Sequence, residues 1–98
     1  MYTVKEAARM TGLTEHAVRF YTDKGLVPGL KRDGNNTRLF DDKAINWLHG
    51  VKCLKASGMS IKDIKTYVDL CLRGDATIPE RYALMMKHKE EALAKLEE

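Results

Sequence analysis

Apolar positions recur along this chain at helical spacing in five stretches, each bounded by glycine, proline or a capping residue, with a short strand-like segment after the second. The first stretch carries Val4, Ala7 and Ala8 on its inner side. It opens with Thr3-Val4-Lys5-Glu6, a capping box in which the hydroxyl accepts from an early N–H and the carboxylate reaches back. Thr11-Gly12-Leu13 breaks this helix, and Thr14 caps the next so soon that only a tight turn fits between them. The second helix covers residues 14–25, with Glu15 at its positive end and Gly25 able to take the left-handed conformation that closes it. At roughly 100° per residue, Ala17, Val18 and Tyr21 share one side, while His16, Arg19, Phe20 and Asp23 share the other.

Leu26-Val27-Pro28-Gly29 cannot extend that helix, because proline lacks an N–H and disfavours helical geometry before it. Leu30-Lys31-Arg32 and Thr37-Arg38-Leu39-Phe40 form a hairpin around Asp33-Gly34-Asn35-Asn36, residues that tolerate positive φ. A third helix starts at Asp41 or Asp42 and runs to Gly58, with Ala44, Trp47, Leu48, Val51 and Leu54 facing the core. Ser60-Ile61-Lys62-Asp63 is a fresh cap, and Ile61, Ile64, Val68 and Cys71 mark a fourth helix that ends near Arg73. Thr77-Ile78-Pro79-Glu80 opens the last helix with a capping pattern and a proline in its first turn.

Along that last helix Ile78, Tyr82, Met85, Lys89, Ala92 and Leu96 alternate at spacings of four and three, the seam period of a coiled coil. A helix roughly 33 Å long has little of its own domain to cover such a seam, so a second copy of the chain is the expected supplier. The pattern is still amphipathic at Glu98, and the helix is expected to continue past it in the natural protein. The fold class is therefore mainly α, divided as residues 1–74 and residues 75–98.

Composition changes this picture little. With 98 residues and 44% hydrophobic content the chain can bury a modest core. The chain has no run of about 18 apolar residues to span a membrane, and its start lacks the apolar stretch of a signal peptide, so a cytoplasmic protein without membrane association is expected. Charge changes more: residues 1–74 hold 13 Lys and Arg against 8 Asp and Glu, whereas residues 75–98 hold 4 against 6. The basic part is suited to phosphates, although many enzymes carry as much positive charge.

The outward face of the second helix is the first candidate for chemistry. An arginine and an aromatic among short polar residues suit a nucleic-acid groove, and an ordinary solvated helix would read the same way. The preceding turn sharpens the reading. Ala8, Gly12 and Val18 lie at spacings of four and six, which lets two helices cross closely and resembles a helix-turn-helix, whose second helix enters the major groove. Lys31, Arg32 and Arg38 make the following hairpin cationic, as a wing beside such a helix would be, or as a charged surface loop would be. Ser60 and Lys62, at the start of the fourth helix, could hold a further phosphate.

Cys53 and Cys71 form no CxxC pair, so neither a disulfide framework nor a zinc finger is indicated, and no metal or cofactor is expected. Cys71 falls on the apolar stripe of its helix. Cys53 lies opposite its helix's stripe, with His49 four residues before it and Lys52 and Lys55 nearby, an environment that could favour a reactive thiolate; burial under another element is the alternative. As a catalytic pair, Cys53 and His49 lack an orienting third group, and no enzyme activity is expected.

Together YTVKEAARMTGLT, AVRFYTDKGLVP, the wing NNTRLF, DDKAINWLHGVKCLKASGMS and the terminal helix resemble the MerR family of bacterial transcriptional regulators over essentially the whole chain. The resemblance implies a winged helix-turn-helix and a homodimer joined by antiparallel pairing of the last helix. It also implies binding to double-stranded promoter DNA, which such regulators bend and untwist so that RNA polymerase can engage an overlong promoter spacer. His16, Arg19, Phe20, Tyr21, Lys31, Arg32, Arg38, Ser60 and Lys62 are the expected DNA-binding residues. VKCLKASGMSIKDIKTY followed by RGDATIPER resembles the NmlR- and AdhR-like branch, associated with aldehydes and other thiol-reactive stress through a cysteine matching Cys53.

Three departures from the family pattern stand out. Phe20 occupies a usual tyrosine position and cannot donate a hydroxyl hydrogen bond, and Thr22 stands where an acidic residue is usual. The wing has Asn36-Thr37-Arg38 in place of Gly-Tyr-Arg, and Thr77-Ile78-Pro79 lacks the cysteine that metal sensors carry at the start of the last helix. An architectural DNA-bending protein of the excisionase type, without inducer response, is the alternative function.

Overall fold

The computed structural model of the protein describes residues 1–97, with side chains through residue 94. In chain order the elements are α1 (Val4–Thr11), α2 (Glu15–Asp23), β1 (Lys31–Arg32), β2 (Arg38–Leu39), α3 (Asp42–Ala56), α4 (Ile61–Leu72) and α5 (Ile78–Glu97), the last preceded by a 3₁₀ turn at Asp75–Thr77. The fold is thus mainly α with a two-stranded wing. Two compact units divide it, Met1–Cys53 and Leu54–Glu98.

Caps set the boundaries of the first unit. Thr3 Oγ1 accepts from the Glu6 amide at 3.2 Å while Glu6 Oε1 accepts from the Thr3 amide at 3.1 Å, so both halves of the capping box form. These hydrogen bonds hold the Glu6 carboxyl below its ordinary pKa. Thr11 is the last residue of α1 and not a turn residue: it is 2% exposed, and its hydroxyl donates to Ala7 O at 2.8 Å. Gly12 follows in the left-handed conformation with φ 73°, and Thr14 caps α2 through the Ala17 amide at 3.0 Å.

Phe40, Leu26, Leu48, Val18 and Val51 are the large, fully enclosed side chains of this unit. Ile45 joins them at 5% exposure, whereas Trp47, expected in the core, is half-buried. Helical spacing places both residues near the edge of the apolar stripe, and angle alone does not decide which edge is covered. Asp41 provides the cap for α3, accepting from the Ala44 amide at 2.8 Å.

The hairpin is shorter than its sequence suggested. Lys31 pairs with Leu39 and Arg32 with Arg38 in antiparallel register, and a separate bridge joins Tyr2 to Phe40. The N-terminus is thereby tied to the end of the wing. The Asp42 carboxylate, through its charge and then through a hydrogen bond from the phenol, holds the Tyr2 hydroxyl above its ordinary pKa.

In the second unit Met59, Ile64 and Val68 are enclosed, and Ser60 caps α4 by accepting from the Asp63 amide at 3.1 Å. Thr77 does not cap the last helix as its spacing suggested. Its buried hydroxyl turns back to donate to the carbonyls of Leu70 and Gly74, which also accept from the Arg73 and Thr77 amides where α4 ends. The 3₁₀ turn results, and α5 starts one residue later.

Candidate nucleic-acid interface

The tight turn after α1 projects α2 so that Val18, fully enclosed, anchors it from beneath together with Tyr21, which was expected among the DNA-binding residues but is buried at 8% exposure because it shares the inner side of the helix with Val18. The opposite side stands in solvent. His16, Arg19 and Phe20 are all exposed there, Phe20 at 38%. Arg19 Nη2 lies 3.4 Å from Glu15 Oε1 in an ion pair with both side chains about half exposed, a contact weak enough to exchange for another acceptor. The Phe20 ring meets Tyr21 edge to face at 5.8 Å between centroids, and Lys24 Nζ sits 5.5 Å above the same ring. Lys24 therefore belongs to this surface. Its position four residues after Phe20 was the available signal, since i,i+4 neighbours meet on a helix.

Arg38 sits differently from the other cations. Its Nε donates to Thr22 Oγ1 at 3.0 Å and its Nη2 to Asp23 Oδ1 at 2.8 Å, and its side chain is only 20% exposed. The guanidinium thus joins β2 to the end of α2. Thr22 in turn donates to Arg19 O at 2.8 Å. Arg38 is expected from the sequence to contact DNA, but its two partners, 16 and 15 residues away, are not visible there.

The turn of the wing is built by Asp33, whose carboxylate accepts from the amides of Asn35 at 2.8 Å and Thr37 at 3.0 Å, while Asn36 takes a positive φ of 61°. Arg32 Nη1 braces it by donating to Asn36 O at 3.1 Å. Lys31 and Arg32 are both exposed. In the second unit Ser60 and Lys62 are exposed at the start of α4, with the serine hydroxyl already engaged as the cap.

Cys53 is exposed, as is His49, and no hydrogen bond joins them among the described residues. Cys71 is half-buried, not enclosed, and its thiol lies 3.7 Å from Arg81 Nη1. Burial, followed by the neighbouring Cys71 thiol, raises the Tyr67 phenol above its ordinary pKa, against the opposing charge of Arg81. Tyr67, Ile78, Arg81, Tyr82 and Met85 line an open groove of about 250 Å³. Ile78 and Tyr82 are exposed at 53% and 67%, Met85 and Ala92 are half-buried, and Lys89 is exposed. Leu96, the remaining seam position, lies outside the described side chains. Among the described residues no helix is long and apolar enough to cross a membrane, and no group of His, Cys, Asp and Glu is placed to hold a metal ion.

A turn-linked helix pair with a short hairpin tied to its second helix defines the winged helix-turn-helix class. Residues 2–71 match the MerR HTH family of regulatory proteins, and the chain belongs to that family. It is 43% identical over 83 residues to an uncharacterized HTH-type transcriptional regulator of Haemophilus influenzae, covering 85% of this chain and 62% of that protein. It is 30% identical over 87 residues to the HTH-type transcriptional regulator AdhR of Bacillus subtilis, covering 89% of this chain and 62% of the relative. The chain thus spans 62% of the length of each of these two relatives. Among solved structures it resembles HiNmlR, a MerR family regulator lacking the sensor domain, bound to promoter DNA, with a TM-score of 0.80 and 38% identity over 97% of this chain and 75% of that one.

Proposed function

We propose that this chain is a cytoplasmic transcriptional regulator that binds double-stranded promoter DNA as a homodimer, with α2 in the major groove and the β1–β2 wing on the flanking backbone. The observation that carries this reading is the joining of α2 and the wing by Arg38, with Arg19, Phe20, Lys24, Lys31 and Arg32 all exposed on the two joined elements and their junction. Arg19 reads a base edge, while His16 and Phe20 flank it. Tyr21 supports the helix from beneath. Lys31 and Arg32 meet phosphates, and Ser60 with Lys62 meets a further one. A relative of 38% identity bound to promoter DNA supports the reading.

The exposed Ile78 and Tyr82, with Met85, Lys89, Ala92 and Leu96, form the pairing face for a second copy, and residues 75–98 serve dimerisation while residues 1–74 serve DNA. The dimer distorts the promoter so that RNA polymerase engages it. Cys53, exposed on α3 and present in a chain similar to AdhR, is the sensor for aldehydes or other thiol-reactive compounds.

Selection of duplexes from a random-sequence pool, followed by binding across a salt series, tests the core of this. Arg19→Ala should cost roughly 1–3 kcal/mol on the selected duplex and relax the preference at one base pair. Lys31→Ala should weaken selected and random duplexes alike and reduce the salt slope by about one. Equal loss of specificity in both variants would refute the assignment. Transcription from a promoter with an overlong spacer then separates a regulator from an architectural protein, which would bend DNA without changing transcript yield.

A further inference from the structure

Lys52 has no place in the surface described above, yet it makes a short contact between elements far apart in sequence. Its Nζ donates to the carbonyl oxygen of Thr11 at 2.7 Å, across 41 positions. That carbonyl belongs to the last residue of α1. The amides of Gly12 and Leu13 both turn back to Ala8 O, and the final carbonyls of a helix have no intrahelical donor. They also carry the negative end of the helix dipole, which a cation complements. Thr11 is 2% exposed with the side chain of Lys52, itself an exposed residue, in place over its carbonyl.

The contact also presses on the turn itself. A Cβ added to Gly12 would lie 2.9 Å from Lys52 Nζ, so the ammonium sits directly over the left-handed residue from which the chain departs toward α2. Thr14, which caps α2, is two residues on. A lysine side chain gives up considerable rotamer freedom when held in this way, and the charge-assisted bond is what holds it.

We propose that Lys52 is a positioning residue through which α3 holds the turn of the helix-turn-helix in its reading geometry, raising affinity for DNA without touching DNA. The proposal rests on the DNA-binding reading above. It differs from a phosphate-binding role in one measurable way: losing a phosphate contact flattens the salt dependence of binding, whereas losing a positioning contact lowers affinity at unchanged slope.

The test compares the wild-type chain, Lys52→Met and Lys52→Arg on the duplex that the wild type selects from a random pool, across a salt series, with a random-sequence duplex alongside. Lys52→Met keeps the apolar stem and removes the charge. It is expected to weaken selected-duplex binding about tenfold at unchanged slope and to affect the random duplex less, and Lys52→Arg is expected to restore most of the loss. Equal affinity of the wild type and Lys52→Met would overturn the proposal, as would a slope lower by about one in the methionine variant. Should Lys52→Met fail to fold, NMR of the lysine ammonium groups in the free wild-type chain decides. A Lys52 signal protected from exchange supports the contact, and one exchanging as freely as that of Lys31 overturns it. Failure of the wild type to enrich any duplex would refute the DNA reading itself, and the proposal with it.

Discussion

Breaking the Arg38–Asp23 link is the most direct perturbation of the joined helix and wing. The pair is short, at 2.8 Å, with one partner 20% exposed and the other 61%. Fully exposed pairs contribute from zero to about 1 kcal/mol, and well-enclosed hydrogen bonds to charged groups about 1.5–3 kcal/mol. Asp23 is too open to water for the larger figure, and Arg38 is too enclosed for the smallest. A coupling energy of about 1 kcal/mol is therefore expected from the double-mutant cycle Asp23→Ala, Arg38→Ala.

Thermal melting at one fixed protein concentration is the assay, because an associating chain melts at a concentration-dependent temperature. For a chain of this size about 1 kcal/mol corresponds to a drop of roughly 4–8 °C for Asp23→Ala. Arg38→Ala should cost more than Asp23→Ala, since it also removes the bond to Thr22. On DNA, Asp23→Ala deletes a negative charge and would raise affinity if charge alone mattered. A loose wing predicts weaker binding instead. Additive single mutants, or tighter DNA binding by Asp23→Ala, would refute the argument.

The capping box makes α1 sensitive to acid. Glu6 is held below its ordinary pKa, so its contribution is complete above the unfolded value and is lost as pH falls through the folded one. Melting between neutral and acidic pH should show this, and Glu6→Gln, which keeps the reciprocal bond, should lessen the acid sensitivity. Leu48→Ala empties a fully enclosed site and should cost about 2–5 kcal/mol in urea denaturation; a loss below about 1 kcal/mol would mean that the neighbours collapse into the space. With a bulky maleimide, Cys53 should label faster than the half-buried Cys71, read by mass spectrometry of the digested protein, and Cys53→Ser should abolish any aldehyde response while leaving DNA affinity intact. Equal labelling rates would count against Cys53 as the sensor.

Local chemistry made much of this protein legible in its sequence. Thr3 with Glu6, Thr14 and Ser60 each cap a helix because a short oxygen-bearing side chain satisfies amides within three residues of itself, and such bonds need no tertiary partner. Helical spacing likewise separated Val18 from Arg19 and marked Leu48 and Val51 for the core. What spacing could not supply was any bond across the fold. The choice between Ile45 and Trp47 depended on which edge of α3 is covered, and Thr77 turned from cap to donor because α4 ends within reach of its hydroxyl. Arg38 was visible as a cation, but its partners Thr22 and Asp23 are brought to it only by the docking of the wing. Lys52 was visible only as a cation near Cys53, and its bond to the Thr11 carbonyl, 41 positions away, exists only in the fold. The sequence by itself determined the helices, the caps at Thr3, Thr14 and Ser60 and the exposed side of α2, because those depend on neighbours a few residues apart; the tertiary structure decided which cations hold the fold, because such contacts depend on distance in space.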